Sequence, residues 1–149
     1  MGFAILIMIL LTCSLPSLSQ TCNAALWTHV YRRSRLKVVN NCLTVTGTVL
    51  SIRPEVDGDL HVRVKLDPPY ANLLNGFNHT RAGGALVTEV ICDHRPSRSD
   101  ALAACGAFRQ HFSTVKVGAH VKITGALVVD TAPTSGWREI HPITSVTPP

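Results

Sequence analysis

Apolar and polar residues alternate most strictly over residues 59–66. Leu60, Val62, Val64 and Leu66 fall on one parity and His61, Arg63 and Lys65 on the other. That period of two predicts a strand with one buried face and one exposed basic strip. Residues 43–52 predict an earlier strand. Leu43, Val45 and Val49 share a parity, whereas Leu50 and Ile52 take the opposite one. Such a phase flip calls for a bulge or bend, and Gly47 supplies the freedom for it. Pro54 and Asp57-Gly58 make the intervening stretch a turn, so the two strands form a hairpin. Residues 85–92, 120–129 and 137–146 predict three more strands. Residues 97–112 read as a helix, because Ser97 and Asp100 resemble a cap and Leu102, Cys105, Phe108 and Phe112 form one stripe. Gly106 inside it costs about 1 kcal/mol relative to Ala, so packing would have to hold this helix. Residues 67–83 carry too many Pro, Asn and Gly to be helical throughout.

The order of three strands, a helix and two strands predicts a mainly β chain. The expectation is a five-stranded, OB-like antiparallel barrel with one helix between strands three and four. Residues 3–11 are an unbroken apolar run, too short to span a bilayer. Small residues and Pro16 follow it, so residues 1–20 read as a signal peptide. Cys13 raises lipidation, and an uncleaved anchor, as the competing readings. The division expected is a leader over 1–20, an N-terminal segment over 21–41 and the OB-like domain over 42–149. No membrane span is expected in the mature chain. Export leaves Cys22, Cys42, Cys92 and Cys105, which suggest two disulfides. Four cysteines allow three pairings; Cys22–Cys42 and Cys92–Cys105 are chosen here because each pair is neighbouring in sequence. A four-thiolate zinc site lacks any C-x-x-C knuckle. The setting is therefore secreted, periplasmic or cell-envelope.

Charge changes the picture only modestly. The formal +5 lies wholly beyond residue 20 and permits an anionic partner without demanding one. The cluster Arg32, Arg33, Arg35, Lys37 reads as a solvated segment beside a disulfide. Asn78-His79-Thr80 fits the glycosylation acceptor pattern. Few aromatics are available to stack bases, which argues against nucleic acid. An OB-like binding face would comprise His61, Arg63 and Lys65, with Trp137 at the edge of a flanking loop. The ligand favoured is an extended anion or a glycan, and the partner an unidentified extracellular molecule.

The densest candidate chemistry is the closing hairpin. Trp137, Glu139 and His141 share a strand face, and Asp130 ends the preceding strand. These residues are expected to gather at one end of the barrel, with Trp137 partly covered by loop 130–136. Asp59, His61, Asp130, Glu139 and His141 are also metal-ligand types. The alternative function is therefore a metal-binding domain, even a metal-dependent hydrolase, with zinc or calcium the candidate ions; otherwise no cofactor is expected. No H-E-x-x-H, G-x-S-x-G or phosphate-cradling glycine loop is present. No residue is assigned as catalytic, and the balance leans away from an enzyme.

GTV at Gly47, DGDLH at Asp57, LVTEV, VKITGALVVD at Val121 and GWREIHP at Gly136 together resemble a family of small exported OB-like proteins. The resemblance spans about residues 40–146, and its GWREIHP end is the most specific part. It implies the fold and carries no established activity. Relatives usually place His before that Gly-Trp, where this chain has Ser135. Any ligand duty of that His is lost here.

Overall fold

A computed structural model of the chain describes residues 21–149. The expected leader, including Cys13, lies outside them. Five strands carry the fold: β1 (Leu36–Pro54), β2 (Leu60–Leu66), β3 (Leu86–Val90), β4 (His120–Asp130) and β5 (Arg138–Thr147). They close a ring in the order β1-β2-β3-β5-β4. β1 makes this possible because it is long enough to serve two neighbours. Its first part pairs with β4 from Leu36 to Thr48, and its last part pairs with β2 from Gly47 to Pro54. The expected phase flip is present as a register shift between Val49 and Ser51, which leaves Leu50 exposed. Gly47 has a different duty: a Cβ there would collide with the Lys65 carbonyl oxygen, so it lets β1 and β2 cross closely. The ring is not wholly antiparallel as expected, since β3 and β5 run parallel, with Val87 opposite Glu139.

Val45, Val49, Val62, Val64, Leu86, Val90, Val121, Ile123, Leu127, Ile140, Ile143 and Val146 form one buried core. This is the inward parity that alternation assigns to β2. A second, smaller core unites Leu26, Val30 and Leu36 with Ile91, Ala126 and Val128. It explains the N-terminal segment. A 3₁₀ turn over Ala24–His29 is capped by Asn23 and docks Leu26 onto the sheet. The Cys22–Cys42 bridge ties it to β1, and the second expected bridge, Cys92–Cys105, is present too.

The helix expected over 97–112 is a correction. Only a 3₁₀ turn at Ser99–Ala101 and a single α-helical turn at Leu102–Cys105 form. Ser97 and Asp100 make no cap: the Ser97 hydroxyl donates to the Val56 carbonyl, and Asp100 accepts from Tyr31 and Arg98. The apolar stripe is real but serves two cores. Phe108 packs on the outer core, stacked on His29 at 4.0 Å, whereas Phe112 packs on the inner one. A straight helix cannot reach both, and the chain leaves it at Gly106, where φ is 53°. Gln110 then holds the extended segment, accepting from the Ile91 amide and donating to the Ile143 carbonyl.

Residues 67–83 hold a short helix that composition concealed, α1 (Gly76–Arg81). Asn75 and Asn78 form a reciprocal cap: each side chain accepts from the other's backbone N–H at 3.0 Å. Asn78 is fully buried, and its amide nitrogen donates to the carbonyls of Ala85 and Arg138. The glycosylation reading of Asn78-His79-Thr80 thus meets an amide committed to the fold. Among the described residues, no helix is long and apolar enough to cross a membrane.

Candidate functional site

The basic strip needs correcting first. His61, expected to be exposed, is buried, with 6% of its surface accessible, and Arg63 is half-buried; Lys65 alone is exposed. The parity was right, because His61 does point away from the inner core. Its face is covered at that point by a second layer, which includes Trp137, whose ring meets the His61 ring edge-on at 5.7 Å. Lys65, further along the strand, escapes this cover.

Strand register lays a polar row across that outer face. Arg53 of β1 lies opposite His61 of β2, and His61 lies opposite Glu89 of β3. His61 Nδ1 is 3.0 Å from Glu89 Oε1 and 3.9 Å from Glu55 Oε1. Arg53 pairs with Glu55 at 2.5 Å. β5 contributes the second group. His141 Nδ1 donates to Glu139 Oε1 at 3.0 Å, and Trp137 Nε1 donates to Glu139 Oε2 at 2.8 Å. His141 Nε2 sits 3.9 Å from Asp59 Oδ2, while Asp59 Oδ1 accepts from the Cys92 amide at 2.7 Å. The second bridge therefore helps to place Asp59. Arg35, at the approach to β1, reaches Asp130 at 3.4 Å.

Both groups line one cavity of about 240 Å³. Asp130, Trp137, Glu139 and His141 are on its wall, as expected of the closing hairpin, and Asp59 and His61 join them; Arg63 and Lys65 do not. The two carboxylates beside His141 are Glu139 and Asp59, rather than Glu139 and Asp130. Asp130 is instead engaged with Arg35 and with the Ala132 amide. Ser135 is also on the wall.

Sequence reasoning missed Glu55 and Glu89 as site residues. Glu89 had one visible signal: it is the lone charge in the Leu86–Val90 strand, every residue of which is buried. Glu55 had none, being a turn residue like many others. Of the nine Asp and Glu residues in the chain, six (Glu55, Asp57, Asp59, Glu89, Asp130 and Glu139) line this cavity, against three arginines. The acidity is thus concentrated at one place in a basic protein.

Burial and crowding set the protonation. Desolvation, with the charge of Asp57 beside it, pushes the Asp59 carboxyl up to about 6. Desolvation raises Glu89 well above the carboxylate range, and the surrounding carboxylates, led by Glu139, push the same way. Desolvation, assisted by Arg53, pushes His61 down to about 4. Glu139 and His141 behave oppositely. Burial opposes both charges, but their mutual hydrogen bond and attraction win, so Glu139 is lowered and His141 raised. Burial and crowding thus favour the charged forms of the Glu139–His141 pair on β5 and the neutral forms of His61 on β2 and Glu89 on β3.

No known protein family, curated protein or solved structure matches the chain. The chemistry of the site therefore rests on its geometry. His61 Nε2, Glu89 Oε2 and His141 Nε2 are buried and have no hydrogen-bond partner among the described residues. All three belong to the wall of this cavity. Buried polar atoms ordinarily find partners. The three around this cavity therefore call for water or another polar group within it.

As a metal centre the arrangement is incomplete. Among the described residues, the one set of three ligand atoms within 4.8 Å of one another is Asp59 with Cys92 and Cys105, whose sulfurs are bonded to each other. The five residues expected as ligands share the cavity without converging on a point.

Proposed function

We propose that this chain is an exported, disulfide-stabilised binding module of OB-like topology that takes a compact, hydroxyl-bearing ligand, such as the end residue of a glycan, into the cavity beside Trp137. The observation that carries this reading is the trio of unpartnered buried atoms, His61 Nε2, Glu89 Oε2 and His141 Nε2, around one cavity of about 240 Å³. Drug-sized ligands occupy roughly 300–1,000 Å³, so the occupant is smaller. The strand order, with its parallel β3–β5 pair and long coiled β1, supports the OB-like topology. Paired cysteines support export. An extended anion is the weaker candidate, because the carboxylates outnumber the arginines at the cavity and His61 does not join Lys65 on an open basic strip.

The test is a melting-temperature and calorimetric screen of the purified domain against monosaccharides, oligosaccharides and polyanions. Binding of a monosaccharide-sized ligand, weakened by His61→Leu and untouched by Lys65→Ala, is the expected result. Binding of long anions only, abolished by Lys65→Ala, would refute it.

One observation favours metal binding as a second reading. Each imidazole has its Nδ1 held by a carboxylate, which is how outer partners orient a metal-ligating His. A large stabilisation by zinc or calcium, reversed by a chelator, would move the assignment there.

A further inference from the structure

We infer that the ligand of this cavity carries a primary ammonium group beside its hydroxyls, in the manner of an amino sugar, and that the ammonium docks between Glu89 and His61. This deepens the binding-module reading and rests on it.

Polarity divides the cavity. On the β2–β3 side the atoms without a hydrogen bond are Glu89 Oε2 and His61 Nε2. An ionised Glu89 accepts at both oxygens and takes the His61 Nδ1 proton, which leaves Nε2 as an acceptor too. This side thus offers acceptors to a donor. On the β5 side stands His141 Nε2, an N–H group when that side chain is charged, which asks for an oxygen. An ammonium answers the first side and a hydroxyl the second.

Charge points the same way. Glu89 is faced by His61 of β2, by Glu55, Asp57 and Asp59 of the preceding turn, and by Glu139 of β5. Arg53 reaches the row but is engaged with Glu55, and Arg35 with Asp130. This crowding favours the protonated form of Glu89 when no cation is near, and an incoming ammonium favours the ionised form instead, so binding sheds a proton to solvent. A metal ion fits less well, since its ligands must converge within a few ångströms and these acceptors do not.

The experiment uses the whole mature domain and three sugars of one skeleton: glucosamine, glucose and N-acetylglucosamine. Titration calorimetry at pH 7 in two buffers of different ionisation enthalpy reads both affinity and proton release. Glucosamine should bind about 10- to 100-fold tighter than either neutral sugar, the worth of a buried charge-assisted contact. It should also release protons, while glucose releases none. Glu89→Gln should erase the preference, and its melting curve will show whether it folds; His61→Leu, which removes the second acceptor, serves if it does not. Equal binding of the three sugars would overturn the ammonium and leave the binding module standing. Binding of none of them, or of zinc or calcium alone, would overturn both.

Discussion

Replacing Asn78 by Ala should destabilise this protein severely, although the residue stands in a surface-type glycosylation triplet. Its side chain makes four hydrogen bonds at 2.9–3.0 Å. Two are donated to the Ala85 and Arg138 carbonyls, and two are accepted from the Asn75 and Arg138 amides. Asn78 is 0% exposed, and so is Ala85. Truncation would leave the buried Ala85 carbonyl and the part-buried N–H and C=O of Arg138 without this partner. Each such group costs about 1–3 kcal/mol, and a water entering the space would recover part. The net is about 3–5 kcal/mol, a large share of the roughly 5–15 kcal/mol that holds a domain together. For a domain of this size that is a fall in melting temperature on the order of 10–20 °C. Thr80→Ala is the control, since it destroys the same triplet while losing one exposed bond to Gly76. It should cost no more than about 1 kcal/mol. Urea denaturation of both variants decides the matter. If Asn78→Ala unfolds within about 1 kcal/mol of Thr80→Ala, the bracket between α1 and β5 is not what fixes Arg138.

Two further outcomes follow from the same geometry. Asp59 has its folded pKa raised to about 6 from 3.8, so the folded chain binds its proton more readily than the unfolded chain; the Asp59 charge then costs stability above pH 6, and the cost fades as pH falls from 6 towards 3.8. Asp59→Asn should therefore be more stable than wild type at pH 8, by up to about 3 kcal/mol, with the difference vanishing near pH 4; a pH-independent difference in denaturation midpoints would refute this. Gly125→Ala would place a Cβ 2.5 Å from the Pro142 carbonyl oxygen, whereas Gly76→Ala meets nothing within 4 Å. The first should lower the melting temperature by 10 °C or more, at roughly 3 °C per kcal/mol, and the second should leave it within about 2 °C.

The sequence made the repeating parts of this fold legible. Strict alternation identified the inward face of β2, and the parity flip in β1 announced the bulge at Val49–Ser51. Proximity in sequence guided the choice among three pairings, and both chosen bridges are present. What escaped was anything decided by a second layer. His61 was read as exposed because alternation reports which face of a strand a residue is on, and not whether that face is covered. Phe108 and Phe112 read as one helical stripe because periodicity cannot tell that two phenylalanines go to two cores. Asn75 and Asn78 read as turn formers, and the same short polar side chains that favour turns also cap helices.

The site lies where these hidden layers meet, and the reason is physical. A strand of the inner ring can carry His61, Glu89, Glu139 and His141 only on the parity that the core does not use. An outer face would normally be solvated, and these groups would then be ordinary surface charges. Here the β5 approach is held down by α1 through Asn78, which bonds Arg138 on both its N–H and its C=O. Asn75 adds a bond to the Gly136 carbonyl. Trp137 lies between those two anchored residues, so its ring is fixed beside His61. That cover helps take His61 out of water, and loss of water is the leading cause of the shifts of His61 and of the neighbouring Glu89. The unusual electrostatics of the cavity thus depend on a helix that touches none of its titrating groups. Loosening α1 without unfolding the ring should return His61 and Glu89 towards their ordinary protonation and with it weaken the preference for a cationic ligand.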